Sequence, residues 1–201
     1  MTNLAPGSTG LAFSINDSGQ VAGVSPYSGG GCFPAITGRP VVWQNGGMTD
    51  LSTKFHLGGD GGCFVNAYIN NLGQVVGSNE HTVGTGDAHY VYFFDTNGSV
   101  TTGGDLGLAT HINDKGQVAG QIGPPGSGSP RKAALWQSGT TTILAPDAIA
   151  YDVNDSGQAV GSTQGPNSHA ILWINGTAKD LGTLAGGAEK LAILIREVYI
   201  N

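Results

Sequence analysis

One nine-residue phrase, repeated four times, constrains this chain more than any other feature. Ile15-Asn16-Asp17-Ser18-Gly19-Gln20-Val21-Ala22-Gly23 returns three times: as Ile69-Asn70-Asn71-Leu72-Gly73-Gln74-Val75-Val76-Gly77, as Ile112-Asn113-Asp114-Lys115-Gly116-Gln117-Val118-Ala119-Gly120, and as Val153-Asn154-Asp155-Ser156-Gly157-Gln158-Ala159-Val160-Gly161. The Asn anchors stand 54, 43 and 41 residues apart. A period of about 40 to 50 residues belongs to stacked or radial supersecondary units, not to one irregular domain.

Each repeat carries two readable turns. Asn and Asp side chains fold back onto following backbone amides and Gly accepts positive φ, so Asn-Asp-x-Gly predicts a type I turn with a glycine bulge. A second turn follows an aromatic-ended strand: Val41-Val42-Trp43 before Asn45-Gly46, Tyr92-Phe93-Phe94 before Asn97-Gly98, Leu135-Trp136 before Ser138-Gly139, and Leu172-Trp173 before Asn175-Gly176. Two hairpins give four strands per repeat, with Leu51, Leu144 and Leu181 ending the fourth strand. Four antiparallel strands in such a period make a propeller blade. The expected fold is all-β: a propeller-like array of four four-stranded repeats, at about 11–63, 64–108, 109–149 and 150–190.

Partial repeats are expected at both ends. Met1-Thr2-Asn3-Leu4 matches Met48-Thr49-Asp50-Leu51, and in Tyr199-Ile200-Asn201 the Asn falls 47 residues past Asn154, as the opening strand of a fifth unit would. The chain thus reads as one repeat domain, residues 1–201, excerpted from a longer array, with neighbouring repeats as its nearest partners.

Composition narrows the function classes. Of 201 residues, 35 are Gly and only 11% are charged, which suits short strands and many turns. A net charge of -6 without a Lys/Arg cluster gives no electrostatic reason to bind nucleic acid. No apolar run is long enough to insert into a membrane as a helix. Cys32 and Cys63, both in Gly-rich loops, read either as one loop-tying disulfide or as two free thiols.

Candidate site residues fall into two sets. The structural repeat positions are Asn16, Asp17, Gly19, Asn70, Gly73, Asn113, Asp114, Gly116, Asn154, Asp155 and Gly157, with Trp43, Trp136 and Trp173. A possible ring of donors stands four residues before the strand-ending aromatics: Arg39, His89, Lys132 and His169. One reading of the ring is recognition of an acidic or hydroxylated ligand. The favoured one is a hydrogen bond from each donor to the turn residue Asp17, Asn71, Asp114 or Asp155, stapling one hairpin to the other. Asp152-x-Asn154-x-Ser156-Gly157 imitates the start of a calcium loop but lacks the closing acidic residue, so an Asx-stabilised turn is the better account. No metal, cofactor or catalytic residue is expected. The five histidines are scattered, and no Gly-x-Ser-x-Gly elbow is present.

The phrase itself, His169-Ala170-Ile171-Leu172-Trp173, and Lys179-Asp180-Leu181-Gly182-Thr183-Leu184-Ala185-Gly186-Gly187 together resemble the bacterial HAF repeat family, over nearly the whole chain to Gly187. The His-Ala-Phe namesake survives only in part, as His-Ala-Ile here and as His89-Tyr90-Val91. The resemblance implies an exported, extracellular or cell-surface repeat protein and supplies no catalytic residue or ligand. The expected function is therefore a non-catalytic extracellular module that presents the variable segments Pro26–Gly38, Asn79–Asp87 and Gly123–Arg131 to a surface glycan or a protein. A structural spacer of a larger surface protein is the alternative, and a hydrolase on a propeller scaffold comes third.

Overall fold

The computed structural model describes residues 10–26, 38–55, 64–83, 86–123 and 131–183, and for 80–83 and 86–89 the backbone only. Cys32, Cys63, Tyr27 and both terminal partial repeats, apart from residue 10, lie outside the described residues. Repeat 1 consists of β1 (Leu11–Ile15), β2 (Val21–Pro26), β3 (Gly38–Gln44) and β4 (Gly47–Asp50), followed by one helical turn, α1 (Leu51–Lys54). Repeat 2 holds β5 (Phe64–Ile69), β6 (Val75–Val83), β7 (Gly86–Phe94) and β8 (Val100–Thr102). Repeat 3 holds β9 (Leu106–Ile112), β10 (Val118–Ile122), β11 (Lys132–Gln137) and β12 (Thr140–Pro146). Repeat 4 holds β13 (Ala148–Val153), β14 (Ala159–Thr163), β15 (Ala170–Ile174) and β16 (Thr177–Gly182). Every neighbouring pair is antiparallel, and the architecture is propeller-like. A single bridge, Gly38 to Phe64, joins repeats 1 and 2 into one eight-stranded sheet.

Turn chemistry follows the residues. In the first hairpin of repeat 1 the Gly19 amide donates to the Asn16 carbonyl at 3.0 Å and the Asn16 amide to the Gln20 carbonyl at 3.0 Å. This is a type I turn closed by a glycine bulge, with Gly19 at φ 72°. The other three phrases repeat it. The second hairpins of repeats 1, 3 and 4 place both central residues at positive φ, as in Asn45 at 51° and Gly46 at 78°. Those are type I′ turns, which match the twist of the flanking strands. Repeat 2 instead closes Asp95 to Ser99 with another glycine bulge, at Gly98.

Three expectations are corrected here. Leu51 does not end a strand; Asp50 caps α1 at that point, its side chain accepting from the Thr53 amide. Asn79–Asp87 is not a loop, since most of it extends the β6–β7 hairpin, which pairs Asn79 with Tyr90 through to Val83 with Gly86. The first strands of repeats 3 and 4 begin at Leu106 and Ala148, ahead of the boundaries expected at 109 and 150.

The described chain divides into two compact units, Met1–Gly103 and Gly104–Asn201, each with two repeats and its own core. In unit 1, Ala22, Val24 and Leu51 of repeat 1 pack on Phe64, Ala67, Ile69, Val75 and Phe94 of repeat 2. In unit 2, Ala119 and Ala133 meet Ala148, Ala150, Val153, Ile171 and Trp173. Trp43, Trp136 and Trp173 are all buried, at 4%, 2% and 1% exposure. Strand register puts Phe94 in the corresponding place in repeat 2, because Val75 pairs with Phe94 as Val21 pairs with Trp43.

Candidate functional site

The repeated phrase builds a fastener between repeats. Asn16 Oδ1 accepts the amides of Ser18 at 3.1 Å and Gln20 at 2.9 Å, which fixes the turn. Its Nδ2 then donates twice, to Gln20 Oε1 at 2.8 Å and across to the Asn70 carbonyl of repeat 2 at 3.0 Å. The next residue adds a second crossing, as the Asp17 amide donates to Asn71 Oδ1 at 2.9 Å. Unit 2 reproduces both: Asn113 Nδ2 donates to the Asn154 carbonyl at 2.8 Å, and the Asp114 amide to Asp155 Oδ1 at 2.9 Å. Gln20 and Gln117 extend the circuit to Gln44 and Gln137, the residues after the tryptophans. Two positions before the Asn, the side chains also cross between repeats. Ser14 Oγ accepts from the Ile69 amide at 2.8 Å, and His111 Nδ1 lies 2.6 Å from Asp152 Oδ1.

Asp152, 4% exposed, thus faces His111 and the Val153 amide, while Asn154 Oδ1 accepts from Ser156 and Gln158 as an Asx turn. Among the described residues no group of three or more His, Cys, Asp or Glu side chains could hold a metal.

The donor ring takes a different form from the one expected. Arg39 Nη1 donates to Asp50 Oδ2 at 2.7 Å and His169 Nδ1 lies 2.7 Å from Asp180 Oδ2. The acceptors are thus on the fourth strand or its end, not at the turn residues Asp17 and Asp155. Register explains this: Asp50 pairs with Val41 and Asp180 with Ile171, beside the donors' own strands. In repeat 3 the matching partner of Ala134 is Ile143, which gives Lys132 no carboxylate there. In repeat 2, with Phe94 in the tryptophan place, strand register puts Tyr90 and not His89 at the position of Arg39.

Burial alone would raise the Asp50 pKa, but hydrogen bonds from Ser52, Arg39 and Thr53 outweigh it and hold the carboxyl below the ordinary aspartate range. A lowered folded-state pKa stabilises above the unfolded value and is lost as pH falls through the folded one. Acid denaturation followed by urea midpoints is therefore expected to show a loss of stability below the ordinary aspartate range that Asp50→Asn flattens. An unchanged acid slope in that variant would contradict the assignment. His169 and Asp180 are both well exposed, at 42% and 57% of their side chains, so their pair adds little stability.

Each unit also carries a groove between its two repeats. The first, about 620 Å³, is lined by Gln20, Gln44 and Met48 on one side and by Leu72, Phe94 and Asp95 on the other. The second, about 610 Å³, occupies the equivalent place and is lined by Gln117, Trp136 and Thr142 opposite Ser156 and Asn175. Sequence reading missed both grooves, since each forms only when two repeats stack.

The chain is similar to the β-propeller domain of the trilobed protease from Pyrococcus furiosus, described as having an open velcro topology, at TM-score 0.53 and 14% identity over 90% of this chain and 53% of that one. It is also similar to the acylaminoacyl peptidase of Pyrococcus horikoshii, at TM-score 0.53 and 14% identity over 96% of this chain and 29% of that one. No family model matches the chain, and no curated protein matches it. The chain spans about half of that propeller domain and under a third of that peptidase chain. At this identity the likeness shows the β-propeller fold. It also corrects the expectation of a non-catalytic extracellular module for glycan or protein binding, because the propellers it resembles belong to peptidases.

Proposed function

We propose that this chain is a peptidase-associated β-propeller domain, contributing its repeats beside a catalytic domain and supplying no catalytic residue itself. The observation that carries this reading is the likeness over 90% and 96% of this chain to the propeller domain of a protease and to an acylaminoacyl peptidase. The resemblance of the three phrases to HAF repeats is the ground for proposing that the protein is an exported bacterial one.

The test uses native protein captured with an antibody against residues 1–201, beside the recombinant chain alone. Hydrolysis of aminoacyl- and acylaminoacyl-p-nitroanilides is expected in the captured material and absent from the recombinant chain. A captured protein without peptidase activity, or an active recombinant chain, would contradict the reading.

A further inference from the structure

We propose that the groove of unit 1 is a binding site for a short, unblocked peptide with apolar side chains. The proposal stands on the groove's construction and not on the peptidase reading.

The two grooves occupy equivalent positions, so what differs between them is not required by the fold. Leu72 stands 60% exposed on the rim of the first groove, at the turn position held by Ser18 and Ser156 in repeats 1 and 4. Across from it Met48 is 52% exposed, at the register position taken by Thr141 in repeat 3. Leaving two large apolar side chains in water on facing rims costs solubility and gains no core packing.

Leu51 and Lys54 of α1 and Phe55 after it also line the groove, and α1 interrupts the pattern only in repeat 1 among the described residues. Asp50 holds that turn with hydrogen bonds from Ser52 at 2.6 Å, Thr53 at 3.1 Å and Arg39 at 2.7 Å. The turn delivers Phe55, whose ring packs on Phe94 at 5.2 Å, and Lys54, whose ammonium lies 5.2 Å from the Phe55 ring centre. Among the described residues Lys54 has no ion pair. Asp95 accepts from Gln74 and Thr96 through Oδ1, while Oδ2 has no partner among the described residues. The groove therefore offers a cation, a carboxylate oxygen and the exposed apolar side chains of Met48 and Leu72 in one otherwise largely polar cleft, and its volume falls within the range of small-ligand sites. A free peptide matches this set: its carboxylate to Lys54, its ammonium to Asp95, and its apolar side chains against Met48, Leu72 and Phe55.

The experiment is isothermal titration of the whole chain with the dipeptide Leu-Phe, with its N-acetylated form and with its C-terminal amide. Saturable binding of Leu-Phe is expected, weakened at least about tenfold by Lys54→Glu, by Leu72→Ser and by blocking either terminus. Asp95→Asn should bind the free and N-acetylated peptides alike. Leu72→Ser introduces the residue that two other repeats already carry, and its melting temperature should match that of the parent chain. No saturable binding, binding that survives both Lys54→Glu and Leu72→Ser, or indifference to blocked termini would each overturn the proposal. Because no catalysis is measured, the outcome is independent of whether a peptidase accompanies the chain.

Discussion

Replacing Gly161 with alanine is expected to destabilise unit 2 by about 3 kcal/mol or more, read as a fall in urea midpoint at unchanged slope. A β-carbon at Gly161 would lie 1.9 Å from the Ile149 carbonyl oxygen, 2.9 Å from its carbon and 2.9 Å from the Trp173 ring. Two of those obstacles are backbone of the paired strand β13, which cannot swing aside as a side chain would. The register of β13 on β14 is irregular there, between Ala150 and Asp152. Gly23, the corresponding residue of repeat 1, meets Leu11 backbone at 2.0 Å and Trp43 at 2.8 Å. The last glycine of the phrase therefore lets a bulged first strand and the tryptophan ring close onto the second strand. Gly176→Ala is the control. Its φ of 77° is unfavourable for alanine, but nothing stands within 4 Å, so it should cost only about 1 to 2 kcal/mol. Equal losses from the two variants would refute the close-approach explanation.

Asn113→Asp is expected to cost about 2 to 4 kcal/mol, through its loss of donors. The aspartate keeps Oδ1 and can still accept the Lys115 and Gln117 amides at 3.0 and 2.8 Å. What disappears is the amide nitrogen, which donates to Gln117 Oε1 and to the Asn154 carbonyl, both at 2.8 Å. In its place an anionic oxygen faces two acceptor oxygens at a site only 4% exposed. The substitution thus spares the turn and breaks the junction between repeats 3 and 4.

Local chemistry made much of this fold legible in the sequence. Asn16 and Gly19 announce their turn through side-chain acceptors and positive φ, Asn45-Gly46 announces the next one, and Trp43, Trp136 and Trp173 mark buried strand ends. These signals act within a few residues. Features set by strand register were not legible. Arg39 finds Asp50 because β4 lies beside β3, and one extra aromatic residue in repeat 2 shifts the count so that register sets Tyr90 rather than His89 at the matching position. The role of Gly161 was hidden for the same reason, since its neighbours arrive from another strand. The Asn amide showed its turn-forming half to a reader of the sequence, but not the half that reaches the following repeat. The grooves depend on two stacked repeats and could not be seen from one.

Whether the phrase fastens one repeat to the next is tested most directly by urea denaturation of Asn113→Asp beside Asn154→Asp in dilute solution. Both asparagines accept the same two turn amides and donate to the glutamine four residues on. Only Asn113 also reaches a following repeat among the described residues. Asn113→Asp is expected to lose at least about 1.5 kcal/mol more than Asn154→Asp. Equal losses would show that the phrase acts only within its own hairpin and does not fasten repeats.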